Sequence, residues 1–326
     1  MLRKYHWLIC TFAPLICGIA PFASDAQVGL TDHATEQSAP RYTTLNIFGH
    51  WVVSVSINNH RMVTGSFLPL DEFGEGESVG FALQGRFLDP IDVFFDPKDV
   101  EGIHVTAIGN NDRGEIVGLL SRDAISPSIA FRYSRGKVED VSVPGANTTT
   151  PRDINNHGDM VGVLQFNFVG HGYLLSGDRL TLIDGPEGDG STRIFGTIVF
   201  GLNEEREVVG CYEPRAAPSA RRGFVFREGI YEIIHVPGAQ ATCTTAINNR
   251  GQIVGGYSVA GDDRFHGFLF SKGRYVTMDI PNVRQPVISS INDLGDIVGT
   301  YVDESDVRRG FKSNIREFIH RRNVQR

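Results

Sequence analysis

The chain has little of what a helical protein needs. Among 326 residues there are only 4 Met and 2 Trp, and no long segment repeats its apolar positions with the ~3.6-residue period of a helix. It lacks a basic excess as well: the formal net charge is −7, which argues against nucleic acid as the main partner. The longest apolar run, Trp7 to Ala20, is too short to cross a bilayer. With Arg3 and Lys4 before it and Ala23, Ser24 and Ala26 after it, the run reads as a secretory signal peptide cut after Ala26. Loss of residues 1–26 removes Arg3, Lys4 and Asp25, takes the charge from −7 to −8, and leaves no membrane span. Ile16 stands before Cys17 where lipidation wants a small residue.

Cysteine is scarce too. Of 4, Cys10 and Cys17 leave with the signal, so an exported chain keeps Cys211 and Cys243. In an oxidising compartment these either pair, stabilising the fold by about 2–4 kcal/mol, or remain two buried thiols. Short catalytic signatures are missing: there is no H-E-x-x-H, Cys-x-x-Cys, G-x-S-x-G or phosphate loop. Propeller-like and other repeat enzymes gather their residues from separate loops, so chemistry is not excluded by that.

What is abundant is glycine, at 37, with 21 Phe and 41% hydrophobic residues, enough for a large turn-rich core. Much of it lies in one repeat. "AINNRGQIVGGY" (Ala246 to Tyr257) recurs at "SINNHRMVTGSF", "GNNDRGEIVGLL", "DINNHGDMVGVL", "GLNEEREVVGCY" and "SINDLGDIVGTY". One Asn of each copy falls at Asn58, Asn111, Asn155, Asn203, Asn248 and Asn292, at intervals of 53, 44, 48, 45 and 44. Seven residues later comes Gly65, Gly118, Gly162, Gly210, Gly255 or Gly299. A Gly-aromatic element follows (Gly80, Ile129, Gly172, Gly223, Gly267, Gly310), then a closing segment such as "EIIHVPGA" from Glu232.

The Asn side chain can accept from the backbone two residues on, and a Gly three positions later (Gly114, Gly158, Gly251, Gly295) can take positive φ, so Asn-x-x-Gly is a tight hairpin turn. The Ile-Val or Met-Val that follows puts apolar groups on both faces of one strand. Such a strand must be covered on both sides. Four short strands per unit of about 45 residues, greasy on either flank, predict an all-β, six-bladed β-propeller of four-stranded repeats, with face-to-face burial dominating stability. A parallel β-helix needs a shorter period.

The predicted organisation is a signal peptide (1–26), a flexible leader (27–41), a propeller (42–312) and a basic tail (313–326). Thr43 to Asn59 matches the junction Glu232 to Asn249, so 42–49 reads as the last strand of a unit whose other strands lie at the far end of the chain. Tyr42–Gly49 is therefore expected to pair into the blade made by 286–312, closing the ring. "EFIH" at Glu317, similar to "EIIH" at Glu232, competes for that slot.

The I-N-N-x-G-x-I-V-G-x-Y block with His266-Gly267-Phe268 and His171-Gly172-Tyr173 resembles the HAF-type extracellular repeat family of bacteria over residues 42 to 312. The resemblance implies an exported repeat protein and carries no reaction.

Candidate site residues are those the repeat does not explain. The loop "DEFGEGE" sets Asp71, Glu72, Glu75 and Glu77 among glycines, an arrangement open to Ca²⁺ although its spacing is not that of an EF-hand. "PEGDGST" with Asp189 and "AGDDRFH" with Asp262 and Asp263 are weaker acidic candidates, and His171 and His266 share one repeat position. Arg221-Arg222 and Arg308-Arg309 could meet an anionic glycan, and Asn147-Thr148-Thr149 has the form of a glycosylation sequon. The six Asn are assigned to turns rather than to a ring of ligand amides. These observations favour a secreted, monomeric, non-catalytic module that binds an extracellular glycan or protein through its loops, without a required cofactor. The alternative is an enzyme on a polysaccharide or lactone, with Asp71, Glu72, Glu75, Asp189, Asp262, Asp263, His171 and His266 meeting at the axial mouth.

Overall fold

The computed structural model describes residues 28–33, 39–47, 51–68, 78–84, 87–90, 104–122, 128–167, 169–186, 196–214, 217 and 220–319. Within them the chain is a six-bladed β-propeller. Blade 1 is β3 (Trp51–Ile57), β4 (Val63–Leu68), β5 (Val79–Gln84) and β6 (Phe87–Pro90). Blade 2 is β7 (His104–Asn110), β8 (Ile116–Ser121), β9 (Ile129–Ser134) and β10 (Lys137–Asp140). Blade 3 is β11 (Thr148–Ile154), β12 (Met160–Phe166), β13 (Val169–Ser176) and β14 (Arg179–Ile183). Blade 4 is β15 (Thr197–Leu202), β16 (Val208–Tyr212), β17 (Arg222–Arg227) and β18 (Ile230–Ile234). Blade 5 is β19 (Ala241–Ile247), β20 (Ile253–Ser258), β21 (Phe265–Ser271) and β22 (Arg274–Thr277). Blade 6 takes β23 (Arg284–Ile291), β24 (Asp296–Val302) and β25 (Arg308–Asn314). Each sheet is an antiparallel meander whose first strand lies next to the axis.

Two motifs that are separate in sequence prove to be one packing device. In all six blades the Gly of the second strand stands opposite the aromatic of the third: Gly65 and Phe81, Gly118 and Phe131, Gly162 and Tyr173, Gly210 and Phe224, Gly255 and Phe268, Gly299 and Phe311. A Cβ on Gly255 would strike both the carbonyl of Cys243 and the Phe268 ring. The missing side chain lets the ring lie flat across the strand. Phe81, Phe131, Phe224, Phe268 and Phe311 are all fully buried. On the other flank Val117, Val161, Val209, Val254 and Val298 are equally buried, as strands apolar on both faces require. At roughly 1.5–3 kcal/mol for each such side chain, these seams dominate the stability of the ring.

The first strand of five blades breaks register at the same place, between Ala107 and Gly109, Pro151 and Asp153, Val199 and Gly201, Thr244 and Ala246, and Ile288 and Ser290; in blade 1 the break, between Val52 and Ser54, comes two residues earlier. A bulge re-aims the residues beyond it. Here it turns the last residues of each inner strand towards the axis.

β2 (Tyr42–Ile47) pairs with β25 in the sixth blade, Thr44 opposite Phe311. Tyr42 meets the Tyr301 ring edge-on, Thr44 Oγ1 lies 2.9 Å from the Tyr301 hydroxyl, and Leu45 is buried against Val52 and Val298. The competing segment does not take that slot: Glu317 lies in a short helix, α1 (Arg316–Ile319). One expectation is corrected. The stretch 27–41, read as a loose leader, contains a strand, β1 (Val28–His33), which pairs along β2 and widens this sheet to five strands.

Cys211 in β16 and Cys243 in β19 are joined by a disulfide, a covalent link between blades 4 and 5.

The turn glycines have the expected backbone: φ is +74° at Gly114, +82° at Gly158, +66° at Gly251 and +78° at Gly295. In two copies Arg takes the position, with φ of 62° at Arg61 and 60° at Arg206. Nothing lies within 4 Å of where a Cβ on Gly251 would stand, so the cost there is conformational and not steric. Gly251→Arg is therefore expected to cost about 1 kcal/mol and Gly251→Val a few kcal/mol, since a β-branched side chain is least tolerant of positive φ. Denaturant melts of the two variants check this; equal loss in both would contradict it.

Candidate functional site

The turn that opens each hairpin also builds the centre of the molecule. In Asn155 the side-chain oxygen accepts the backbone N–H groups of His157 and Asp159, both at 3.0 Å, which is the local role expected. Its NH₂ does something the repeat alone does not reveal: it donates to the backbone oxygen of Asn203 in the next blade at 3.2 Å. The same bond runs from Asn58 to Asn111 (2.9 Å), Asn111 to Asn155 (2.8 Å), Asn203 to Asn248 (3.5 Å), Asn248 to Asn292 (2.9 Å) and Asn292 back to Asn58 (3.0 Å). Six carboxamides thus form a closed ring of hydrogen bonds around the axis. All six Asn are buried.

A second ring lies one residue further on. Here the side chains alternate, amide and acid: Asn59, Asp112, Asn156, Glu204, Asn249 and Asp293. Each backbone N–H donates to the side-chain oxygen of the next member, from Asn59 to Asp112 (2.7 Å), Asp112 to Asn156 (2.9 Å), Asn156 to Glu204 (3.0 Å), Glu204 to Asn249 (2.9 Å), Asn249 to Asp293 (2.8 Å) and Asp293 to Asn59 (2.7 Å). The alternation has a chemical reason. A carboxylate only accepts, so it needs donors on either side, and an amide NH₂ supplies them: that of Asn59 reaches Asp112 and Asp293, both at 3.0 Å. At Asp112 burial raises the carboxyl, but bonds from the Asn156 and Asn59 side chains and the Asn59 N–H outweigh it and hold the group below the usual range.

The two rings and the residues behind them line an open axial cavity of about 70 Å³, room for a few waters. Ser56, Asp153 and Ser290 line it from behind the rings.

Ion pairs tie the same turns together from outside. Where Arg replaces the turn Gly, its guanidinium reaches back to the preceding blade: Arg206 to Asp159 and Arg61 to Asp296, each at 2.7 Å. Burial raises both aspartates, yet side-chain bonds from Arg206, Ser176 and Asn155 at Asp159, and from Asn314 and Arg61 at Asp296, bring them below the ordinary value.

The candidates singled out in the sequence lie elsewhere. His171 and His266 sit at the start of the third strands of blades 3 and 5, at the end of the blade opposite the Asn turns. His171 Nδ1 lies 2.8 Å from Asp184, beside the Phe166 ring. His266 stacks on Tyr257 with ring centroids 5.0 Å apart, its Nδ1 3.0 Å from Asp279 and its Nε2 3.3 Å from Asp262. Hydrogen bonds from the Arg264 side chain and N–H keep Asp262 well below the usual carboxylate range. Asp263 shares that loop. Asp71, Glu72, Glu75, Glu77 and Asp189 lie outside the described residues. Three of the four paired arginines serve the scaffold: Arg221 bridges to Glu213 at 2.6 Å, Arg309 to Asp303 at 2.8 Å, and Arg222 caps the carbonyls of Ala220, Arg221 and Gln240. In the sequon, Asn147 Oδ1 accepts the N–H of Asn167 at 2.6 Å.

The inner ring was legible as turns and not as seam bonds. The alternating ring was written at the position after each repeat Asn, where amide and acid take turns, but that regularity is seen only once the copies are stacked in a circle.

No family model matches the chain, and no curated protein does. Among solved structures it is similar to a triple arginine-to-alanine mutant of AofleA from Arthrobotrys oligospora, at 12% identity and a TM-score of 0.50, over 85% of this chain and 88% of that one. It is also similar to a puromycin-hydrolyzing peptidase of Mycobacterium tuberculosis, at 8% identity and a TM-score of 0.52, over 82% of this chain and 51% of that one. Both likenesses are of fold.

Asp293→Asn tests the alternating ring. It would turn an NH₂ towards the donating NH₂ groups of Asn59 and Asn249, and is expected to cost about 1–3 kcal/mol. Asp263→Asn, outside the ring, is the control. A denaturant midpoint unchanged in Asp293→Asn would contradict the donor and acceptor pattern.

Proposed function

We propose that this chain is an exported, non-catalytic binding module that recognises a hydroxyl-rich glycan on the face opposite the Asn turns. The observation that carries the reading is the recurrence of one polar and aromatic arrangement in two blades. In blade 3 it is Phe166, His171 and Asp184; in blade 5 it is Tyr257, His266 and Asp279, with the same spacing of 13 residues between His and Asp. A ring edge or face beside a fixed imidazole and a carboxylate suits a ligand that offers C–H surface and hydroxyl groups together.

The distribution of side chains supports it. On the Asn face the repeat residues are committed to bonds between blades, and the axial cavity they line is small. On the opposite face the connections vary from blade to blade, as binding surfaces on rigid scaffolds do. Asp262, 3.3 Å from His266 Nε2, is held ionised by Arg264, which suits a hydrogen-bond acceptor better than a general acid.

The experiment is a glycan array probed with residues 27–326. Saturable binding to at least one glycan class is expected, falling at least about tenfold in a His171→Ala/His266→Ala variant of unchanged melting temperature, with every bound glycan recovered intact. An array without a binder, or a glycan recovered shortened or ring-opened, would contradict the proposal.

A further inference from the structure

Blade 4 departs from both its neighbours at the positions that the glycan reading uses. In blade 3 the third and fourth strands end their pairing at Gly172 and Ile183, and His171 and Asp184 stand one step beyond. In blade 5 the same step holds His266 and Asp279, after the bond from Met278 to Gly267. In blade 4 the pairing ends at Gly223 and Ile234, and the step holds Arg222 and His235. Tyr212 lies opposite Arg222 on the second strand as Tyr257 lies opposite His266. Two imidazole–carboxylate pairs thus flank a guanidinium and an imidazole with no carboxylate. The fold does not ask for a cation there, since blades 1 and 2 carry Val79 and Ile129 at the position of Arg222.

Arg222 is only half committed. Its Nη1 donates to the carbonyls of Ala220 at 3.0 Å, Arg221 at 3.3 Å and Gln240 at 3.3 Å. Among the described residues nothing meets its Nε or Nη2, so the edge that these two nitrogens share is open while the three carbonyls restrain the plane. Arg221 differs: its guanidinium is closed on Glu213 at 2.6 Å. His235 is held in place by blade 5. Its backbone N–H donates to the Tyr275 hydroxyl at 3.1 Å, and its Nδ1 lies 3.1 Å from Thr242 Oγ1. Tyr212 adjoins Cys211 and Thr242 adjoins Cys243, so the disulfide ties together the two strands against which Arg222 and His235 rest.

We propose that Arg222 and His235 form an anion subsite at the seam of blades 4 and 5, which takes the carboxylate of an acidic sugar. The inference rests on the glycan reading and narrows its ligand from hydroxyl-rich chains in general to those that carry a uronic acid. A planar fork of parallel N–H groups matches the two oxygens of a carboxylate, adding direction as well as affinity. Burial, and then the charge of Arg222, push the His235 imidazole below its ordinary value, in keeping with two like groups that no acid separates.

The test titrates the protein with oligomers of galacturonate, glucuronate and mannuronate, each as free acid and as methyl ester, and with a sulfated galactan. At least one free acid is expected to bind at least about tenfold more tightly than its ester. That preference should vanish in Arg222→Gln and shrink in Arg222→Lys, which keeps the charge and loses the fork, both at unchanged melting temperature. In His171→Ala/His266→Ala every affinity should fall while the preference for acid over ester stays. Equal binding of acids and esters, or tighter binding of the sulfated galactan than of every free acid, would overturn the subsite and leave the two histidine sites standing. Absence of binding to every oligomer would overturn both. Should Arg222→Gln fail to fold, Arg222→Lys and the acid-to-ester ratio of the native protein decide.

Discussion

A blade of this propeller cannot end at its own edge, because its second strand is apolar on both flanks and the turn before that strand carries a carboxamide whose oxygen is already occupied by the turn's own N–H groups. In five copies the NH₂ also donates to the side chain four residues on, and in all six it finds a carbonyl one blade along, so that after six such steps the chain of bonds returns to its start, from Asn292 to Asn58. Each bond contributes on the order of 1 kcal/mol net, yet the six are geometrically dependent. An angle between blades that suited one seam and not another would leave a buried amide without its acceptor. The ring fixes the number of blades as well as joining them.

The other devices serve the same circle. The Gly opposite each aromatic flattens the blade so that its neighbour can approach, and the bulge in every inner strand turns the Asn and its successors towards the axis. Arg61 and Arg206 replace a turn Gly only where an aspartate of the preceding blade, Asp296 or Asp159, stands ready for the guanidinium. The Cys211–Cys243 disulfide joins blades 4 and 5, the seam with the longest of the six Asn bonds, at 3.5 Å. The junction of blades 6 and 1, where the two ends of the repeat array meet, has the Asn bond, the Arg61 pair, the contact of Ser290 Oγ with the Ile57 N–H at 3.3 Å, and the burial of Leu45 from β2.

Much of this could be read before any coordinates. The period, the turn, the positive φ of four glycines and the double-sided strands follow from spacing and residue type, because they are relations within one unit and recur six times. Relations between units are harder to see. The NH₂ of Asn155 and the oxygen of Asn203 are 48 residues apart, and nothing in either copy names the other. The alternation at Asn59, Asp112, Asn156, Glu204, Asn249 and Asp293 acquires meaning only on a circle with an even number of blades. Asp153 was hidden for a different reason: it departs from the repeat at one residue inside a strand, where the acid-rich loops depart from it over several. The histidines were found because they too break symmetry, and the structure gave them partners, Asp184 and Asp279, that lie just beyond the fourth strands of their blades. Whether Cys211 and Cys243 would pair was undecidable from spacing, since it depends on which strands of adjacent blades face each other.

The claim that the six carboxamides make one cooperative ring is tested most directly at the seam farthest apart in sequence. Native-state hydrogen exchange should be followed in Asn292→Ala, which removes the bond to Asn58 together with the two N–H bonds that the Asn292 oxygen accepts within its own turn. A single ring predicts that protection falls together in the second strands of all six blades, from Val63 to Val302, because opening one seam frees every other. Loss of protection confined to blades 6 and 1, with blades 3 and 4 exchanging as in the native protein, would contradict it and would describe a row of blades bent into a circle without being joined.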